Sequence, residues 1–304
     1  MGELSDILGR LESLLGPFTG EPAELGGGIT NRNFRASFGG RDYVIRRPGK
    51  DTELLGINRE AERLATEAGA LLGIAPAVAA TLEDCLVTDF IACRPISSSE
   101  LAEGAEEIAG ALRAFHDSEV ALPSDFSVPD LLEDYARIVL ARGGALPAVY
   151  PKAVDAAARI TAALPAARPC PCHNDLLATN IIRALDGRMI LVDWEYAGMG
   201  DSRFDLANLS VNNHFEESTD ERLLTAYHGE APSDGRRAAL KLTRVLSDAR
   251  EAAWGVVQAE VSELDFDFAG YAHEHFERLQ GAVEQRQFEQ WLLSASGEPG
   301  GQAA

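Results

Sequence analysis

The stretch His173 to Gly198, HNDLLATNIIRALDGRMILVDWEYAG, constrains this chain more than any other. Its first eight residues space His173, Asp175 and Asn180 as H-x-D-x-x-x-x-N. An oriented carboxylate can take a proton from a substrate hydroxyl, and a carboxamide five positions on can return across the loop to ligate magnesium. Asp175 is therefore the candidate base and Asn180 a candidate metal ligand. From Ile181 to Val192 the chain alternates and is rich in branched apolar residues, broken only by Asp186-Gly187, a dipeptide that favours type I′ turns. This predicts a tight hairpin that delivers Asp193 back beside Asn180. A carboxylate and an amide would then converge on one divalent ion, as a Mg-nucleotide site requires.

Composition narrows the class of partner. At 304 residues with 46% hydrophobic and 25% charged side chains, the chain is long enough for two parts with substantial cores. The formal charge of -21 argues against nucleic acid and against stable association with an anionic membrane, since both need a basic face. It would favour a cationic small substrate. No apolar run approaches the roughly 20 residues that span a bilayer. Four cysteines without a secretory signal imply a reducing, cytoplasmic setting. Cys170-Pro-Cys172-His173 lacks a second ligand pair at zinc-like spacing, so it is read as reduced thiols beside a strand. The oligomeric state stays open between monomer and homodimer.

Taken in order, the chain separates into two kinds of segment. Leucines and isoleucines at helical spacing over 3–15 predict an amphipathic helix that caps the first part. Glu24 to Asn33, with Gly26-Gly27-Gly28, reads as a glycine turn between strands. Its backbone N–H groups could seat phosphate oxygens, which makes Gly27, Gly28, Thr30 and Asn31 nucleotide candidates. A phosphate clamp also needs a cation on a neighbouring strand, fixed by a carboxylate on the next helix. Arg46, and Glu60 within the helical segment 57–70, are assigned to it. Two apolar runs between 77 and 91 complete a five-stranded sheet, after which Asp89 to Ala92 would hold adenine through backbone groups, notably at Asp89 and Ile91. Helical patterns then dominate, over 99–117, 129–142, 151–164, 236–262 and 266–292. Asp205 could brace the catalytic loop or cap a helix. Residues 1–93 are thus assigned to a nucleotide-binding lobe and 94–293 to a catalytic and substrate-binding lobe, with 294–304 a disordered tail.

With these residues assembled, the chain resembles the choline/ethanolamine kinase family within the aminoglycoside-phosphotransferase and protein-kinase-like superfamily. The resemblance rests on GGGITNRNF, YVIRRPG, INREAE, GIAP, HNDLLATN, VDWEYAG, RFDLAN and WGVVQ, in that order. It implies an α+β, two-lobed protein-kinase-like fold with a small antiparallel sheet lobe and a larger, mainly helical one. It also implies transfer of the ATP γ-phosphoryl group to an amino-alcohol hydroxyl with magnesium. Asp175 matches the base, Asn180 and Asp193 the metal-facing residues, and Arg46 and Glu60 the nucleotide clamp. Glu195, Tyr196, Trp254 and Tyr271 match the positions that recognise the substrate ammonium, which suits aromatic faces and a carboxylate field. Glu251 stands where eukaryotic members have a second tryptophan, which keeps thiamine or an aminoglycoside or macrolide in view as acceptor. A non-catalytic nucleotide-binding sensor is the alternative of another class.

Overall fold

The computed structural model describes residues 2–26, 31–49, 52–94 and 96–297. Helix α1 (Gly2–Leu15) precedes the strands β1 (Phe18–Leu25), β2 (Asn31–Phe38) and β3 (Arg41–Pro48), then α2 (Arg59–Leu71), β4 (Val78–Leu82) and β5 (Cys85–Asp89). The five strands form one antiparallel sheet in the order β1-β2-β3-β5-β4. Alternation explains its burial: Phe34, Ala36 and Phe38 of β2 and Tyr43 and Ile45 of β3 turn to one face, where Ile7 and Leu11 of α1 cover them. The amphipathic helix thus caps the sheet, as its spacing predicts.

The remainder is mainly helical. It contains β6 (Cys93–Arg94), α3 (Ser98–Glu103), α4 (Ala105–His116), α5 (Val128–Ala141), α6 (Tyr150–Ala163), β7 (Cys170–Cys172), β8 (Ile181–Ala184), β9 (Met189–Leu191), β10 (Gly198–Gly200), α7 (Ser202–Asn212), α8 (Glu217–His228), α9 (Asp234–Val261), α10 (Phe268–Val283) and α11 (Gln287–Ser296). Strands β6, β8 and β9 make one small sheet, and β7 and β10 another. Helix α9 runs 28 residues and is buried along most of its length, because α5, α6, α7, α10 and α11 pack around it.

Several elements depart from their predicted form for local reasons. The 99–117 helix divides at Gly104, where a Cβ would meet Met189 Cε at 2.5 Å, so the β8–β9 hairpin presses into the break. The 266–292 helix divides between Val283 and Gln287. The segment expected to start at Ile57 begins at Arg59, capped by the Asn58 side chain, which accepts from the backbone N–H of Glu60 and Ala61. In the hairpin, only Gly187 has a left-handed φ, and its N–H bonds the Ala184 carbonyl at 2.9 Å. That is the three-residue loop with a left-handed glycine rather than the expected type I′ turn. The expected tail is partly helical: Ser294 to Ser296 close α11 with Ala295 buried, while 298–304 lie outside the described residues.

Trp194 joins the two parts. It is buried, donates Nε1–H to the Leu191 carbonyl at 3.1 Å, meets Phe115 of α4 edge-on at 4.7 Å, and stacks tilted on His173 at 4.5 Å. Gly69 of α2 faces it so closely that a Cβ there would stand 2.9 Å from Ala75 Cβ and 3.0 Å from Trp194 Cζ2. Gly69→Val should therefore cost about 1–3 kcal/mol by overpacking. A thermal melt of the variant against the parent checks it, and an unchanged midpoint would remove Gly69 from the joint.

Candidate active site

The catalytic segment is held mainly by backbone. Asp205 of α7 is fully buried, and its carboxylate accepts the N–H groups of His173 at 2.8 Å and Asn174 at 2.7 Å together with His116 Nε2 at 2.9 Å. Asp205 is thus the brace, while Asp201 is the residue that caps α7 by accepting from Arg203 N–H. Asn174 adopts φ 65°, in the left-handed region that asparagine tolerates, and donates Nδ2–H to the Tyr196 carbonyl at 3.0 Å. His173 donates Nε2–H to the Val192 carbonyl at 3.0 Å and accepts the Asp175 N–H on Nδ1 at 3.3 Å. Burial pushes its pKa down to about 4, consistent with that neutral form. One imidazole therefore clips the loop that carries Asp175 to the strand end that carries Asp193.

Asp175 sits at the bottom of this frame, 7% exposed. Asn180 Nδ2 donates to its Oδ2 at 2.8 Å and to its carbonyl at 2.9 Å, which leaves the Asn180 carbonyl oxygen as the group the amide can offer a metal. On the other side Arg250 Nη1 stands 3.4 Å from Asp175 Oδ1 and donates to Glu251 Oε1 at 2.9 Å. Glu251 also accepts from Tyr271 Oη–H at 2.8 Å and Asn208 Nδ2–H at 3.2 Å. Burial raises the Asp175 carboxyl to about 8 against the opposing pull of Arg250, with Glu251, Asp193 and Glu195 adding to the rise.

The hairpin returns Val192 beside Asn180, its N–H bonding the Asn180 carbonyl at 2.9 Å, so Asp193 follows directly with φ 65°. Its carboxylate pairs with Arg46, whose Nη1 donates to Glu62 at 2.9 Å. The expected partner Glu60 is not there. It is exposed and bound to Arg63, because Ala61, Glu62, Ala65 and Gly69 form the inward stripe of α2 while Glu60, Arg63 and Glu67 share the outer one. Glu195 is buried but turns toward the sheet, accepting from Asn31 Nδ2–H at 2.9 Å and lying 3.5 Å from Arg59 Nη1. The acid that joins the expected aromatic residues is Glu251.

Among the described residues, five carboxyls, those of Glu62, Asp175, Asp193, Glu195 and Glu251, meet three guanidinium groups, of Arg46, Arg59 and Arg250. The imbalance shows in Asp193, which burial raises to about 6 despite Arg46, with Glu195 and Glu62 adding. Excess negative charge and a donor set of carboxylate and carboxamide oxygens fit a hard divalent cation such as magnesium at Asn180 and Asp193. The buried cluster of His116, Cys172 and Asp205 does not fit a metal as well. His116 and Asp205 are hydrogen-bonded to each other, and both Asp205 oxygens are taken by backbone N–H groups.

Tyr196, Trp254 and Tyr271 do come together. Trp254 Nε1–H donates to Tyr196 Oη at 2.8 Å and the ring meets Tyr271 edge-on at 5.5 Å. Asp89 ends β5 with its N–H on the Ala77 carbonyl at 2.8 Å and its carboxylate on Arg41, and Ile91 follows in the connection to β6. Gly27, Gly28 and Thr30 lie outside the described residues, while Asn31 beside them reaches Glu195. Sequence reasoning missed Glu62 and Arg250. The apolar phase Ala61, Ala65 and Gly69 pointed to Glu62, and Arg250 lies one turn before Trp254 on α9, between Asp248 and Glu251.

The family model described as the phosphotransferase enzyme family matches residues 21–242. Protein LicA of Haemophilus influenzae is 29% identical over 217 residues, which are 66% of this chain and 61% of LicA, so this chain spans less than two thirds of that relative's length. The probable choline kinase 1 of Arabidopsis thaliana is 24% identical over 90% of this chain and 88% of its own. Among solved structures, the choline/ethanolamine kinase family protein from Mesorhizobium loti superimposes with a TM-score of 0.81 at 29% identity, over 96% of this chain and 99% of that one.

The brace should be pH-sensitive. Burial opposes the His116 imidazolium, but hydrogen bonding and charge from Asp205 outweigh it and raise the pKa above its ordinary value of about 6.5. Its contribution to stability is therefore full below about pH 6.5 and is lost as pH climbs through the higher folded value. Asp205→Asn should lower the melting temperature more at pH 6 than at pH 9. Equal losses at both values, in melts across that range, would show that the pair is not charged.

Proposed function

The chain belongs to the phosphotransferase enzyme family, and from that premise we propose that it is an ATP- and Mg-dependent small-molecule kinase. It phosphorylates the hydroxyl of an amino alcohol, with choline and ethanolamine as the leading acceptors, in keeping with the names its relatives carry. The observation that carries this reading is the convergence of Asp175, Asn180 and Asp193 at the end of one hairpin, backed by a clamp of Arg46 and Glu62. Free cysteines and a nucleotide-dependent reaction suit a cytoplasmic setting.

In this reading the acceptor hydroxyl lies against Asp175 Oδ1, since Asn180 already fixes Oδ2. The bond from the acceptor oxygen to the γ-phosphorus forms as the bond to the departing ADP oxygen breaks, and the hydroxyl proton passes to Asp175. A carboxyl raised toward neutral pH is a better proton acceptor than an ordinary aspartate, and the adjacent guanidinium of Arg250 keeps a usable fraction ionised. Arg46, fixed from two sides by Glu62 and Asp193, supplies a permanent positive charge for phosphate oxygens. A bound divalent ion would supply further charge at Asn180 and Asp193. The buried Trp194 and the Asn31–Glu195 contact exclude water from the junction.

Asp175→Asn should lower kcat about 100-fold or more with ATP saturating, the loss expected of a missing general base. Steady-state ADP release measures it, and full activity would refute the base assignment. Glu62→Gln should raise the KM for ATP by about tenfold, whereas Glu60→Gln leaves it within about twofold, since only Glu62 holds Arg46 in a desolvated pair. Equal effects from the two would refute the clamp drawn here.

A further inference from the structure

The aromatic and acidic cluster beside Asp175 already contains a cation, and it belongs to the protein. Arg250 is 1% exposed, and its guanidinium carbon lies 4.3 Å from the centroid of Tyr196. Its charge also faces Glu251, the acid hydrogen-bonded to Tyr271. An acceptor ammonium would have to share this face of Tyr196 and this carboxylate with a fixed positive charge, which Coulomb repulsion opposes in a buried site.

Only part of Arg250 is spent on these contacts. Nη1 serves Glu251 and Asp175, while Nε and Nη2 are buried and hydrogen-bond to nothing among the described residues. Those two nitrogens form one edge of the planar group, spaced to grip both oxygens of a carboxylate. Arg32 uses the same edge in this way on Glu24, at 3.0 and 3.2 Å. A guanidinium edge left dry is costly, because each buried donor without a partner forfeits its hydration. The same guanidinium stands 3.4 Å from Asp175 through Nη1, so it lies beside the place of any hydroxyl that Asp175 activates.

We infer that the free edge of Arg250 binds a carboxylate of the acceptor, so that among amino alcohols the substrate class is one that also carries a carboxylate: a small hydroxy amino acid. This rests on the reading of Asp175 as the base of an alcohol kinase, and it sets a hydroxy amino acid in place of choline and ethanolamine as the acceptor. Arg250 then has two duties on two edges, one toward the base and Glu251, the other toward the acceptor.

The test uses acceptor pairs that differ by a carboxylate alone, serine against ethanolamine and homoserine against 3-aminopropanol, with choline included. ADP release is followed at saturating Mg-ATP, and thermal shift with a non-hydrolysable ATP analogue reads binding without turnover. The expected result is a KM for at least one carboxylated member about tenfold or more below that of its partner, with a matching rise in melting temperature. Arg250→Met should abolish that ratio. Arg250→Lys keeps the charge that Glu251 needs but not the fork, so it should fold and still lose most of the ratio. A lower KM for ethanolamine or choline, a ratio unchanged in both variants, or no shift from either carboxylated compound would overturn the inference while leaving the kinase reading intact. Carboxylate-dependent stabilisation without phosphorylation of any alcohol would support the subsite and sink the kinase reading instead.

Discussion

Burying charge is the constraint on which the rest of this structure depends. A carboxylate taken out of water is tolerable only beside counter-charge and hydrogen-bond donors. Here Glu62, Asp175, Asp193, Glu195 and Glu251 share Arg46, Arg59 and Arg250, drawn from both the sheet and the helices. The charges are therefore what holds the two parts in register. Arg46 of β3 reaches the end of the hairpin, and Asn31 of β2 and Arg59 of α2 reach Glu195. A site assembled in this way exists only when both parts are in place. It also stays short of positive charge, and burial raises the Asp193 carboxyl despite Arg46.

Packing makes this arrangement rigid. Trp194 stands between Asp193 and Glu195 in sequence and is buried against Phe115, His173 and the notch at Gly69. The two acids on either side of it therefore diverge in fixed directions, one toward Arg46 and one toward Asn31 and Arg59. Beneath them Asp205 holds the loop by its backbone, and the Asp175 side chain is left to Asn180 and Arg250. The division of labour is physical. Main-chain bonds and an indole fix position, and the ionisable groups at the surface of that frame set reactivity.

Much of this was legible because period and turn chemistry report directly on backbone. The antiparallel sheet, its helical cap, the hairpin and the convergence of Asn180 with Asp193 follow from alternation, helical spacing and an Asp-Gly turn. What escaped depended on phase within an element. Glu60 and Glu62 point about 200° apart around a helix, so the phase of α2, which begins at Arg59 after the Asn58 cap, decides which of them faces Arg46. Asp205 was legible as either a brace or a helix cap, and the choice between them escaped, since it rests on bonds to His173, Asn174 and His116, which are distant in sequence. Glu195 was assigned by position to the ammonium-binding group, yet it and Tyr196 are the central residues of a turn closed by the Ala197 N–H on the Trp194 carbonyl, and the two side chains part there, Glu195 to Asn31 and Tyr196 to Trp254.

Arg250 shows why a shared frame does not fix the acceptor. Asp175, Asn180 and Asp193 are set by backbone that the family model covers, whereas Arg250 to Tyr271 lie beyond its matched range of 21–242. The two regions meet at Asp175, where a buried guanidinium touches the base on one edge and leaves its other edge unused. A pocket meant for a cation alone would gain nothing from a fixed positive charge stacked on its tyrosine. A pocket meant for a molecule with both charges gains twice: Glu251 holds the guanidinium in place, and the guanidinium then presents a rigid fork that costs little further ordering when an oxygen pair arrives. The catalytic loop and this turn of α9 thus meet through Arg250 at Asp175 and through Asn208, which accepts the Leu176 N–H and donates to Glu251.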